Sequence, residues 1–351
     1  MKQLFNNQTN NTMKFKKYNT IENSFQKEFI SAIIEQGFGD LDYVVQEKVH
    51  GTNICFITDG QSIVCARRNE IIMENETFYN VHIVMEKYKN QILALYQDIA
   101  NQYLTKTISI YGELFGGGYP HPDIPIDHKS QLVQRGIYYA PSNDFYAFDI
   151  LINGESYLNT EMVNLLFEKH KFLYAKTLFK GNLSECLSYP NAFKTTIPEE
   201  FYLPELEGNI CEGVVIRPIK PLFLKSGERV IVKNKNEHWA ENNNYIDKSL
   251  LNSLLKLDGE NLSDEAQFLC EEIYKLITVN RLNNVVSKIG FIDPKKDLGK
   301  VLGLFNKDVI TDFLKNYQDL YNTLEKHEMK TINKFLNKHA GEMIYFVYLN
   351  Q

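Results

Sequence analysis

Tyr43, Val45 and Val49 alternate with Val44, Gln46 and Lys48, the period-two pattern of a strand. A second β-rich run opens at Ile54, Phe56 and Ile57. The stretch E-K-V-H-G-T-N, Glu47 to Asn53, reads as a hairpin-like reversal between the two, with Gly51 supplying backbone freedom. A third strand spans Ser62 to Ala66 and ends in Arg67-Arg68. The period changes to helical over Val81 to Ile99, with Val84, Met85, Tyr88, Ile92 and Leu95 on the apolar stripe. Strands are again predicted at Thr107–Phe115 and Asp144–Ile152, the latter with Tyr146, Phe148 and Ile150 on one face. A helix capped by Asn159 follows over Leu158–Lys171. Ile210–Ile219 reads as a buried strand interrupted by Glu212, and Glu228–Lys235 as its neighbour, with Lys233 and Lys235 on one face. Upstream of all these, Phe25, Phe29 and Ile33 predict a helix capped at Asn19 or Thr20.

From about Tyr245 the pattern is helical. Ser263 is the expected cap of a run containing Phe268, Leu269, Ile273 and Leu276, and helices fit 307–328 and 330–348. The expected class is therefore α+β. Its parts are a polar, disordered extension over 1–12, a mixed domain over 13–240, a linker over 241–260 and an all-helical domain over 261–351. The loop Tyr119–Ser142 is long and irregular, and His121 and His128 within it are poorly spaced for a metal.

A length of 351 residues accommodates two domains. The net charge of −6 is wrong for a nucleic-acid coat but permits local basic stripes. Three are visible: Lys14, Lys16 and Lys17; Lys225, Arg229, Lys233 and Lys235; Arg281, Lys288, Lys295, Lys296 and Lys300. Each alone is more often a solvated face than a phosphate contact. No apolar run reaches the length of a membrane span, and the polar N-terminus has no signal-peptide core. Five cysteines without a C-x-x-C pair argue against a disulfide framework and a structural zinc. A reducing, cytoplasmic compartment and a monomer are the default expectations.

Two kinds of residue suggest chemistry. Lys48 sits where a strand gives way to a turn, with Gly51, Thr52 and Asn53 beside it to bring backbone N–H groups near a phosphate. A lysine so placed can act as a nucleophile. Lone K-x-x-G also occurs at Lys296, Lys300 and Lys338, so the signal alone is weak. Glu113 in Y-G-E-L-F and Glu212 in C-E-G-V-V-I-R-P are carboxylates inside runs that favour burial, and each needs a partner.

Taken in order, Lys48-Val49-His50-Gly51, Arg68, Glu113 in G-E-L-F-G-G, Phe148 in F-Y-A-F-D, Glu212 in E-G-V-V-I-R, and Lys233 and Lys235 in V-K-N-K resemble the motifs of the covalent nucleotidyltransferases. His50 and the run V-N-R-L-N-N-V-V-S-K-I-G resemble the RNA ligase 2 family, the phage double-stranded RNA repair ligases and the kinetoplastid RNA-editing ligases. Y-P-H-P-D-I-P and R-G-I-Y-Y-A-P lean toward the editing ligases.

The resemblance implies an antiparallel two-sheet nucleotidyltransferase core, ATP-grasp-like as in ligase adenylation domains, followed by a small helical domain. It implies an ATP-dependent RNA ligase joining 3′-OH and 5′-phosphate ends, as at nicks in duplex RNA, through AMP carried on Lys48. Lys233 and Lys235 would be the cations that keep Lys48 neutral. Phe148 would stack on adenine, Glu113 would meet the ribose, and Glu212 would hold Mg²⁺ or Mn²⁺ through its hydration shell. Glu47, Val49, His50 and Asn53 would support the nucleotide, and Arg68 would meet a phosphate of the nucleotide or of the RNA 5′ end. Arg217 stands where phage members carry lysine, and would face RNA with Arg281 and Lys288. The competing classes are a catalytically dead RNA-binding relative, and a DNA ligase or capping enzyme. The latter need a barrel of short strands after Lys235, where the period here is helical.

Overall fold

The computed structural model describes residues 13–239, 262–290, 292–293 and 296–349. The expected extension over 1–12 and the linker over 241–260 lie outside the described residues. The chain divides into two compact units, Met1–His238 and Trp239–Gln351.

The first unit is built from β1 (Glu22–Asn23), α1 (Lys27–Glu35), β2 (Tyr43–Glu47), β3 (Thr52–Thr58), β4 (Ile63–Arg67), α2 (Val81–Ala100) and β5 (Ile108–Phe115). It continues with β6 (Asp144–Ile152), β7 (Ser156–Tyr157), α3 (Thr160–Lys169), β8 (Thr177–Gly181), α4 (Leu183–Leu187), β9 (Gly213–Pro218) and β10 (Val232–Lys235). The strands form two sheets of order β1-β10-β9-β2-β8 and β4-β3-β5-β6-β7. All named pairings are antiparallel except β1 with β10. Apolar side chains of α2 and α3 share a core with the second sheet, and those of α1 and α4 share one with the first. Between the sheets, Tyr18, Cys55, Tyr111, Leu151 and Ile231 form a core drawn from both.

Three expectations are corrected here. Glu47–Asn53 is not a hairpin. β2 pairs with β8 and β9 while β3 pairs with β4 and β5, so residues 48–51 carry the chain from one sheet to the other. Gly51 is required by close approach: a Cβ there would lie 2.3 Å from the Leu114 carbonyl oxygen. The first helix starts at Lys27, not after Thr20, because Glu22 and Ser24 donate backbone bonds to Ile231 and Lys233 on the β10 side. Phe25 is consequently outside the helix and 60% exposed. Phe148, finally, does not share a face with Ile150. The β5–β6 register skips it, pairing Tyr111 with Asp149 and Gly112 with Ala147. Such a bulge shifts the alternation by one residue. Phe145, Ala147, Ile150 and Ile152 therefore all join the core with α2, leaving Tyr146 and Phe148 for the other face.

The second unit comprises α5 (Asp264–Lys275), α6 (Val279–Ile289), α7 (Leu298–Thr323) and α8 (Lys326–Leu349). Ser263 caps α5, accepting from the Ala266 N–H at 3.2 Å. The α7 helix begins well before residue 307, since its buried stripe of Val301, Phe305, Val309 and Phe313 already has the four-residue spacing at 301. It ends at Thr323 because Leu324 is extended.

Candidate active site

Lys48 lies one residue past β2, where its N–H still donates to the Gly213 carbonyl at 3.0 Å. That bond aligns it with the start of β9 and the residue before it, Glu212. Lys48 Nζ is 2.6 Å from Glu212 Oε2, Lys235 Nζ is 2.9 Å from Oε1, and His50 Nδ1 is 3.6 Å from Oε2. Lys235 reaches this carboxylate because β10 runs very close to β9. Gly213, paired with Lys235, has φ +143°, and a Cβ there would sit 2.2 Å from the Asn234 oxygen. Burial of Glu212 opposes its charge, but Lys235, Lys48 and His50 outweigh that and hold the carboxyl well below the ordinary range.

Lys48 lines an open cleft whose walls come from both sheets. Of the residues expected from sequence, Glu47, Lys48, Val49, Asn53, Arg68, Glu113, Phe148 and Arg217 all line it. His50, Glu212 and Lys235 reach it through Lys48. Lys233 is half-buried on β10, paired with Val215. The twin arginines part company. Arg67 is tied to Glu70 and Glu76 and lies over the Phe78 ring, while Arg68 faces the cleft. There burial lowers the Arg68 guanidinium pKa and Glu113 works against it. Asn53 pairs directly with Glu113 across β3 and β5.

Three expectations about individual residues change. Glu47 does not offer its carboxylate to a ligand. Thr195 Oγ1 donates to one oxygen at 2.5 Å, and the Thr196 N–H and Oγ1 donate to the other at 2.9 and 2.7 Å. Arg217 is buried, not on an RNA-facing surface. Its Nη1 is 3.0 Å from Asp149 Oδ2, and Nη2 donates to the Phe148 carbonyl at 2.7 Å. In the helical unit, Arg281 is 1% exposed, with Nη1 2.8 Å from Asp308 and Nη2 2.7 Å from Asp312. It fastens α6 to α7 and is not presented to a phosphate. Lys288, half exposed and 3.7 Å from Asp308, keeps a solvent-facing amine.

Residues 41–235, more than half of the chain, match the RNA ligase family model. The chain belongs to the RNA ligase family. Residues 260–342 match the T4 RNA ligase 2 C-terminal model, the mark of the RNA ligase 2 branch. The mitochondrial RNA-editing ligase 1 of Trypanosoma brucei brucei is 29% identical over 346 residues, covering 83% of this chain and 74% of that protein. Its RNA-editing ligase 2, also mitochondrial, is 28% identical over 351 residues, covering 86% and 83%. A solved Naegleria gruberi RNA ligase with PPi superposes with a TM-score of 0.40 at 16% identity, over 64% of this chain and 57% of that one.

Several residues of this RNA-ligase core escape a sequence reading. Tyr18 and Ile21, from a polar N-terminal run without periodicity, line the cleft. Asp149 is fully buried, bonded by Tyr18 at 2.8 Å and paired with Arg229 at 2.7 Å and Arg217. A carboxylate inside F-D-I carries the signal that marks Glu113 and Glu212, and would have been found by it. Arg229, expected in a basic stripe, is instead buried against the Tyr157 ring. Among the described residues, no cluster of three or more His, Cys, Asp or Glu side chains could hold a metal.

Proposed function

We propose that this protein is an ATP-dependent RNA ligase that seals 3′-OH and 5′-phosphate ends, with nicks in duplex RNA as its substrate. The observation that carries the reading is the Lys48 amine at the cleft wall, held 2.6 Å from a buried acid that also binds Lys235. Lys48 Nζ attacks the α-phosphorus of ATP, forming a P–N bond as the P–O bond to pyrophosphate breaks. An oxygen of the RNA 5′-phosphate then displaces the amine and takes the AMP. The RNA 3′-OH attacks that 5′-phosphate and AMP leaves. Attack needs the lone pair of Lys48, so its contact with Glu212 opens first and its proton passes to solvent water. Lys235 stays beside Glu212 as the fixed positive charge, and Arg68 supplies a second cation in the cleft. Phe148, turned inward by the bulge, offers its ring to adenine.

A divalent ion, Mg²⁺ or Mn²⁺, would be held by Glu212 through water, and among the described residues no cluster of three or more His, Cys, Asp or Glu side chains offers a fuller ligand set. Glu212 lies behind Lys48 with its two oxygens already on Lys48 and Lys235, so its charge would reach the ion across bound water. Bound there, it would neutralise phosphate charge. The five cysteines are buried free thiols, as a reducing compartment favours; the cytoplasm is the setting proposed.

The test is incubation with labelled ATP and divalent metal, followed by sealing assays on nicked duplex, splinted and single-stranded RNA and DNA. Label on Lys48 and preference for nicked duplex RNA are expected. An adduct absent from the wild-type protein refutes the reading.

A further inference from the structure

The crossing that carries Lys48 is gripped by two loops that are distant in sequence. From the segment between β5 and β6, the Tyr139 hydroxyl accepts the His50 backbone N–H at 2.9 Å. The tyrosine is fully buried, and its ring packs edge-on against Phe115. From the segment after α4, Thr195 and Thr196 hold the Glu47 carboxylate. The loops are also tied to each other. Asn209 accepts the Tyr138 N–H at 2.9 Å and donates to the Tyr138 carbonyl at 2.7 Å, while its own carbonyl accepts the Thr195 N–H at 3.1 Å. The residues before and after Lys48–Val49 are thus fixed by groups that share one buried asparagine.

We propose that Tyr139 is a positioning residue for Lys48: its hydroxyl sets the path of the inter-sheet crossing, with Asn209 coupling it to the Thr195–Thr196 grip. This rests on the lysyl-AMP reading above. A buried N–H left without an acceptor costs free energy, so the crossing moves to recover one. A shift of about 1 Å in a nucleophile costs on the order of 100-fold in rate. Lys48 is the nucleophile only when AMP is loaded. Joining strands that already bear AMP needs the cleft but not the attack by Lys48.

The experiment uses the full-length protein with Tyr139→Phe, which keeps the ring and removes the hydroxyl. Single-turnover formation of lysyl-AMP is measured against ATP concentration, beside joining of pre-adenylylated nicked RNA. The expected result is a fall of about 10- to 100-fold in the maximal adduct rate, with half-saturating ATP and pre-adenylylated joining each within about threefold of wild type. Asn209→Ser is the second arm, and the same split is expected from it. An unchanged adduct rate, a loss confined to ATP affinity, or an equal fall in both reactions overturns the proposal. Lack of adduct on the wild-type protein overturns the ligase reading itself. Adduct on the wild type without the split in the variants overturns the clamp alone.

Discussion

Lys48 and Lys235 lie on opposite oxygens of one carboxylate, Glu212, at 2.6 and 2.9 Å. The three come from three places: the inter-sheet crossing, the lead-in to β9, and the end of β10. One buried acid therefore locates the nucleophile and a fixed cation together. Removing either lysine leaves the other to balance the acid, whereas removing the acid leaves two ammonium groups at the cleft.

Lys48→Ala is expected to fold and to form no adduct. Glu212→Ala is expected to lose the adduct as well and, unlike Lys48→Ala, to lose about 3 kcal/mol of stability. Labelled ATP and urea unfolding measure the two effects. Adduct at wild-type level on Lys48→Ala would remove this lysine from the chemistry.

Gly51→Ala tests the crossing directly. Its Cβ would meet the Leu114 carbonyl at 2.3 Å, so either the crossing or β5 has to move. A loss of about 100-fold in adduct formation is expected, as for any displaced nucleophile. An active, equally stable Gly51→Ala would show that the crossing tolerates such movement.

Phe148→Ala should raise half-saturating ATP by about tenfold, the value of an aromatic contact near 1 kcal/mol or slightly above. The maximal rate should change less. Adenine is the expected base, and adduct formation with GTP equal to that with ATP would contradict an adenine-selective pocket.

Arg281→Lys keeps the charge, but a single ammonium cannot span Asp308 and Asp312 as the guanidinium fork does. A loss of about 1–2 kcal/mol is expected. Lys288→Ala, by contrast, should leave stability near wild type and weaken RNA binding at low salt. Denaturant melts and a salt series separate the two.

Asp127 provides a pH test of the loop that bears Tyr139. The hydroxyls of Ser130 and Ser142 and the Lys129 N–H hold its exposed carboxyl down at about 2, against an ordinary value of about 3.9. The ionised form is the one the fold favours, so its contribution is full above about pH 4 and fades as pH falls toward 2. Asp127→Asn should lower Tm at pH 7, and the gap should narrow steadily on titration to pH 3. A gap independent of pH would mean that these bonds do not depend on the charge.

Much of the architecture was legible in the chain. The period-two runs at 43–47, 108–115 and 144–152 are strands because β-branched and aromatic residues there are buried. The stripes of α2 and α5 and the caps Asn159 and Ser263 follow from local spacing and local hydrogen bonds. Glu113 and Glu212 could be singled out because a charged residue in a run meant for burial needs a partner, and Lys48 because it stands where a strand gives way to a turn beside Gly51.

Partners, by contrast, were set by the fold. Nothing between residues 47 and 53 says that the two flanking strands enter different sheets; β9 and β5, far along the chain, decide that. The turn of Phe148 into the cleft rests on a one-residue register shift against β5, and register is a property of the pair, not of either strand. Arg229 and Arg281 read as members of basic stripes, and Arg217 as an RNA-facing residue, because sequence carries charge but not depth. Each is buried because an aspartate from another element meets it: Asp149 for the first two, Asp308 and Asp312 for the third. Local pattern determines which face a residue occupies. Only long-range packing decides what that face meets, since the energy of a buried charge lies in its partner.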